Sequence, residues 1–123
     1  MARKICVEYD ENIIAALRKI KQPILGKDGH KFYIREKGRK QTGLEHIADK
    51  KHRLKVRDIE SIENILKSPV SVRIDPYSRN YKNYYGLRKG DEKKSLLKII
   101  TWPDEHDEVF ERIITIYPVK NIK

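Results

Sequence analysis

Cysteine is nearly absent from this chain of 123 residues, which has only Cys6. A single cysteine excludes an intramolecular disulfide and a zinc site built from several cysteines. Cys6 lies in the alternating run "KICVEY", which predicts a small buried side chain rather than a nucleophile. A reducing compartment suits this usage.

Long apolar runs are also absent, since no stretch approaches the roughly 20 residues that a membrane span needs. The start, "MARKICVEYDENII", lacks the apolar segment of a secretion signal. We therefore expect a cytoplasmic protein without membrane association. The sequence contains no glycine-rich phosphate loop, no G-x-S-x-G and no H-E-x-x-H, so neither a cofactor nor a metal is expected.

Acidic residues are outnumbered, with 18 Asp and Glu against 28 Lys and Arg and a formal charge of +10. Such an excess favours a polyanionic partner, most often nucleic acid. A basic protein without that partner is the alternative. The length predicts one domain, spanning 1–123.

The apolar periodicity predicts an α+β domain. Helical spacing after Asp10 and again over 57–67 indicates two helices. Beyond Pro69 the period becomes strand-like, and short turns separate four runs, at 70–74, 81–88, 95–102 and 109–119. We expect N-terminal helices packed on a four-stranded antiparallel meander, to which an N-terminal strand (3–9) or hairpin can add.

The stretch "TGLEHIADKKH" predicts a further, basic helix. Thr42 followed by Glu45 is a capping box, so this helix should begin at Gly43. His46 falls at the margin of its apolar stripe, and His52 falls at or beyond its end.

Acid–base chemistry is one interpretation of this stretch. Cleavage of RNA without a metal needs a base for the 2′-hydroxyl proton, an acid for the leaving oxygen and cations for the phosphate. Histidine suits both proton roles near neutral pH. The residues from His46 to Arg53 supply these types, with Lys50 and Lys51 as cations. A packing histidine and ordinary helix-end charges explain the same residues equally simply.

Strand alternation sorts further candidates onto one sheet face. If Val70, Val72 and Ile74, and likewise Ile114 and Ile116, face the core, four polar side chains share the opposite face: Arg73, Lys98, Thr115 and Tyr117. Tyr84 belongs to a basic and aromatic hairpin, in which tyrosines can stack on bases. Ordinary solvent-facing residues and good strand formers are the alternative.

Several sequence segments resemble segments of phage and prophage toxin nucleases that share the barnase–EndoU–colicin–RelE-like fold. "GLEHIADKKH" is similar to their H-I-x-x-x-[KR]-H segment, and "IESIENILKSP" to their following helix. "YYGLRKG", "LLKIITW" and "ERIITIYPV" resemble their next three strands.

The resemblance implies a metal-independent ribonuclease, often a toxin with an immunity protein or antitoxin. Residue by residue, it points to His46, Lys51, His52 and Thr115 as the catalytic groups. The nucleic-acid contacts that we expect are Lys50, Arg53, Arg73, Tyr84, Lys98 and Tyr117. A non-catalytic module that binds nucleic acid or the ribosome, or a phage factor that binds a host protein, remains the alternative.

Overall fold

A computed structural model describes residues 8–35, 43–75, 80–88, 95–104, 106–107 and 109–122. It is an α+β structure with three α-helices and a six-stranded mixed sheet, in the order β1-β2-β6-β5-β4-β3. The elements are α1 (Glu11–Lys19), β1 (Ile24–Leu25), β2 (Lys31–Tyr33), α2 (Leu44–Ile47), α3 (Val56–Lys67), β3 (Ser71–Ile74), β4 (Lys82–Leu87), β5 (Leu96–Pro103) and β6 (Phe110–Val119).

The expected antiparallel meander is present as β3 to β6, and two further strands extend the sheet to six. A hairpin of β1 and β2 joins the sheet, and β2 runs parallel to β6. Parallel neighbours need a long crossover, and here the chain between them contains two helices and the first three meander strands. Most of the strand predicted over 3–9 lies outside the described residues. Thr42, the first residue of the predicted capping box, also lies outside them. Tyr9 forms an isolated antiparallel bridge with Asp49.

Helix α1 begins where the sequence predicted. The Asp10 side chain accepts hydrogen bonds from the backbone N–H groups of Asn12 and Ile13. These contacts satisfy two donors that the first turn of a helix leaves unpaired. Its buried stripe of Ile13, Ile14 and Leu17 belongs to the core, and α1 packs against α3.

A buried ion pair fixes the start of α3 to the end of β4. Asp58 is fully buried and accepts a hydrogen bond from the Lys55 backbone N–H at 2.7 Å. Arg88 donates to both Asp58 carboxylate oxygens, from Nε at 2.8 Å and from Nη2 at 2.7 Å. Because the pair is bidentate and the helix terminus is satisfied as well, the buried carboxylate is well compensated.

The sheet has an inner face against the helices and an outer face opposite. A register shift at Ile100/Thr101 pairs Thr101 with Ile113, so Ile114 has no partner on β5. This bulge puts Ile113 in the core cluster instead of Ile114, which is buried outside that cluster. The inward position predicted for Ile114 is therefore wrong, whereas that of Ile116 is confirmed.

The edge strand β3 corrects a second prediction. Val70, Val72 and Ile74 were expected in the core, yet they are 58%, 47% and 66% exposed. Val72 pairs with Tyr84, whose side chain faces inward, so the predicted parity holds. Helix α3 packs on β4 and β1, and β3 lies at the sheet edge beyond that contact.

Candidate functional site

The two histidines of the basic stretch lie side by side. His46 is on α2, and His52 is in a short 3-10 turn, Lys50–His52, that follows it. Their ring centroids are 5.2 Å apart, and the ring planes are nearly perpendicular, at 86°. The turn brings them together: Asp49 accepts a hydrogen bond from the Lys51 N–H, and Arg53, with φ of 55°, ends it.

A backbone carbonyl sets the protonation pattern of His52. Its Nδ1 lies 3.2 Å from the Ile47 carbonyl oxygen, which can only accept. Nδ1 therefore carries the hydrogen, and the neutral ring presents Nε2 as its free lone pair. This hydrogen bond survives protonation of the ring, since Nδ1 keeps its hydrogen.

His46 is held mainly in its neutral form. Partial burial lowers its pKa below the ordinary 6.5, and the positive charges of His52 and Lys51 lower it further, against a smaller opposing effect of Asp49. His46 is therefore the histidine of the pair that is favoured as a neutral base.

An aromatic and cationic pocket adjoins the histidine pair on the outer face. His52 stacks on Tyr117 with centroids 6.2 Å apart and planes at 29°. Tyr117 pairs with Lys98 across β5 and β6, and Tyr85 pairs with Lys98 from the other side. The resulting pocket of about 390 Å³ is lined by Tyr85, Lys98, Tyr117, Val119, Lys120 and Asn121.

Lys98 is the central cation of this pocket. Its Nζ lies 5.5 Å from the Tyr117 ring centroid and 5.8 Å from that of Tyr85. Partial burial alone would lower its pKa, but interactions with Tyr117 and Tyr85 outweigh that effect and raise it. The ammonium group therefore stays charged beside a surface on which a flat ring can stack.

The other predicted cations are exposed. Lys50 pairs with Glu8 at 3.4 Å, and Lys51 pairs with Asp49 at 3.7 Å. Both lysine side chains are more than half exposed, so their ion pairs are weak and a phosphate can compete with the carboxylates. Arg53 is exposed after the turn, and Arg73 is exposed on β3.

Thr115 and Tyr84 do not lie on an open surface. Thr115 occupies the expected outer face but is only 8% exposed, and its Oγ1 has no hydrogen-bond partner among the described residues. Tyr84 packs edge-on against Phe32 within the core, and its hydroxyl binds Glu111. The Tyr84 ring therefore lies in the core, where it is not accessible to the base predicted to stack on it.

Sequence reasoning missed a buried polar network around Glu111 on β6. This fully buried carboxylate accepts hydrogen bonds from the hydroxyls of Tyr84 and Thr101, and it meets His30 Nδ1 at 2.6 Å. Lys82 Nζ lies 3.9 Å away. Glu111 lies two positions from the core residue Ile113, so both side chains face the interior. A carboxylate at an inward-facing position was the feature of the sequence that could have predicted this network.

Comparison with protein-family models, with curated proteins and with solved structures gives no match to this chain. Among the described residues, no helix has the length and apolarity to cross a bilayer. Within the same ranges, His, Cys, Asp and Glu side chains form no group of three or more that could hold a metal ion.

Proposed function

We propose that this protein cleaves RNA by acid–base transesterification, in the manner that the resemblance to toxin nucleases implies. The observation that carries the proposal is the contact of His46, which burial favours in its neutral form, with the ring of His52, beside the pocket of Tyr117 and Lys98. The resemblance adds an immunity protein or antitoxin as a further proposed partner.

The proposed roles follow from the neutral form favoured for His46 and from the Nδ1 hydrogen bond of His52, which leaves Nε2 for proton transfer. Neutral His46 takes the proton of the ribose 2′-hydroxyl as that oxygen attacks phosphorus. The bond from phosphorus to the 5′-oxygen breaks, and protonated His52 gives its Nε2 proton to the departing oxygen. The products are a 2′,3′-cyclic phosphate and a free 5′-hydroxyl. Each turnover leaves the proton on His46, so solvent must return it to His52.

Two cations would stabilise the charge that develops on the phosphate. Lys51 lies in the turn that carries His52, and Lys98 lies over the Tyr117 ring, which His52 also contacts. Positioned cations of this kind act where transition-state charge appears. The Tyr117 ring provides a surface for a neighbouring base, for which stacking contributes about 1–3 kcal/mol.

The test is a cleavage assay with single-stranded RNA in the presence of EDTA, read out as cyclic phosphate ends. His46→Ala and His52→Ala should each lower the rate at least a hundredfold, because general acid–base catalysis contributes about 10²–10⁴-fold. Lys67→Ala is the matched control, since Lys67 is an exposed cation at the end of α3. Variants that cut as fast as the parent would refute these roles.

A non-catalytic RNA-binding module is the second candidate. The burial of Thr115 favours it, because one of the four groups expected in catalysis is closed to substrate. Tight binding to a broad panel of RNAs without any cleavage would establish this function instead.

A further inference from the structure

A second aromatic and cationic pocket lies elsewhere on the outer face. It has a volume of about 270 Å³ and combines two rings, Tyr33 and Trp102, with two guanidinium groups, Arg35 and Arg112. Pro103, Asp104 and His106 complete its lining.

The floor of this pocket is ordered by ring contacts. The Arg112 guanidinium carbon lies 5.7 Å from the centroid of Trp102, and Tyr81 meets Trp102 edge-on at 5.2 Å. Arg112 pairs with Trp102 across β5 and β6 and with Tyr33 across β2 and β6. Three strands therefore hold one stacking surface and one cation in fixed relation.

We propose that this pocket binds a second nucleotide of the same single-stranded RNA, a proposal that rests on the function proposed above. The base stacks on Trp102, and its phosphate pairs with Arg35 and Arg112. Both interactions are sequence-tolerant and recur where proteins bind single strands.

The spacing of the two pockets fits one strand of RNA. Lys98 and Trp102 lie four positions apart on β5 with the same parity, so they share the outer face. At about 3.3 Å per residue, the two side chains are roughly 13 Å apart. This distance exceeds the ~3.4 Å between stacked neighbours, so the pockets take bases that are not adjacent.

Asp104 gives the pocket a preference among bases. One of its carboxylate oxygens accepts a hydrogen bond from the His106 backbone N–H at 2.8 Å. A carboxylate repels phosphate but accepts hydrogen bonds from ring N–H and amino groups of a base. Guanine presents both groups on one edge, so we expect guanine to bind better than uracil.

Trp102 is the only tryptophan of the chain, so its fluorescence reports on this pocket alone. Titration with GMP should quench it saturably, UMP should bind at least fivefold more weakly, and inorganic phosphate at matched ionic strength should have no effect. Quenching by phosphate alone, or none by GMP, would overturn the proposal. Equal affinity for GMP and UMP would overturn the role of Asp104.

Charge variants distinguish GMP binding at this pocket from a general effect of the net charge. Arg112→Gln and Arg35→Gln should each weaken GMP binding about tenfold, while both keep the tryptophan signal. Arg112 is half-buried, so its substitution could disturb the fold. Arg35 is exposed, so its variant tests the same pocket without that risk. Arg57→Gln, an equal charge change at an exposed position of α3, is the control. Equal weakening of GMP binding by all three variants would show a general charge effect and refute the proposed site.

Two further titrations distinguish this proposal from the one on which it rests. His46→Ala should quench with GMP as the parent does, whether or not the parent cleaves RNA. An RNA of about eight nucleotides should bind at least tenfold tighter than GMP, because both pockets then hold one strand. Equal affinity would show an isolated mononucleotide site and refute the shared strand.

Discussion

Partial burial and the neighbouring positive charges of His52 and Lys51 all lower the pKa of His46. The folded pKa lies below 6.5, whereas the unfolded chain binds a proton near that value. Between the two pKa values the unfolded state holds more protons. The free energy of unfolding must therefore fall as pH drops from neutrality through this window.

We predict that His46→Gln removes this dependence. Urea unfolding of the parent and the variant at a series of pH values between 7 and 5 measures it. The parent should lose stability relative to the variant as pH falls. His106→Gln, which changes an exposed histidine, should follow the parent. Parallel curves for the parent and His46→Gln would contradict the burial of a neutral imidazole.

Sequence reasoning placed single residues well wherever local chemistry decides the structure. The Asp10 cap is such a case, whereas the contact of His46 with His52 depends on the turn Lys50–His52 and was not predicted. Tyr84 could not be placed in this way, because its partners Phe32 and Glu111 come from distant strands. A tyrosine in a strand fits either face until its hydroxyl has a partner.

At the scale of elements, the Glu111 carboxylate joins β6 to three other parts of the chain. Glu111→Gln keeps the shape but replaces one acceptor oxygen with a donor that faces hydroxyl or imidazole donors. Leaving such a group unsatisfied costs about 1–3 kcal/mol. We predict that Glu111→Gln lowers the free energy of unfolding by this amount, as measured by urea or thermal unfolding.

Glu63→Gln provides the matched comparison for this prediction. Glu63 is 59% exposed and pairs with Lys67 on the surface of α3 at 2.8 Å. Its substitution should change the free energy of unfolding by less than about 0.5 kcal/mol. Equal effects of the two substitutions would mean that the buried network contributes nothing special.

The elements themselves were largely predictable, and their partners were not. Periodicity and the Asp10 cap placed α1, and the change of period after Pro69 placed β3 to β6. The parallel pairing of β2 with β6 escaped prediction, because nothing local in "KFY" specifies a distant neighbour. The bulge at Ile114 escaped it for the same reason, since alternation assumes an unbroken register.

At the scale of the molecule, the net charge of +10 should make RNA binding depend steeply on salt. Each phosphate contact releases counterions from the nucleic acid. We predict that Lys98→Gln and Lys51→Gln each reduce the log–log slope of affinity against salt by about one. Fluorescence anisotropy with a labelled RNA at several salt concentrations measures the slope.

Lys67→Gln is the control for charge alone, because Lys67 already pairs with Glu63 on α3. Its slope should match that of the parent. A flat salt response in the parent would show that no phosphates are contacted. The excess charge would then favour a protein partner with an acidic surface.

The parallel pairing of β2 with β6 has a consequence for the order in which the chain folds. His30 and Glu111, which meet beside this pairing, are 81 residues apart in sequence, whereas β3 to β6 pair with near neighbours. Closing the long loop is entropically costly, so the meander should assemble first. Pulse-labelled hydrogen exchange should show amides of β5 protected before those of β2, and simultaneous protection would contradict this order. During that interval β6 has an unpaired edge, so aggregation would begin there.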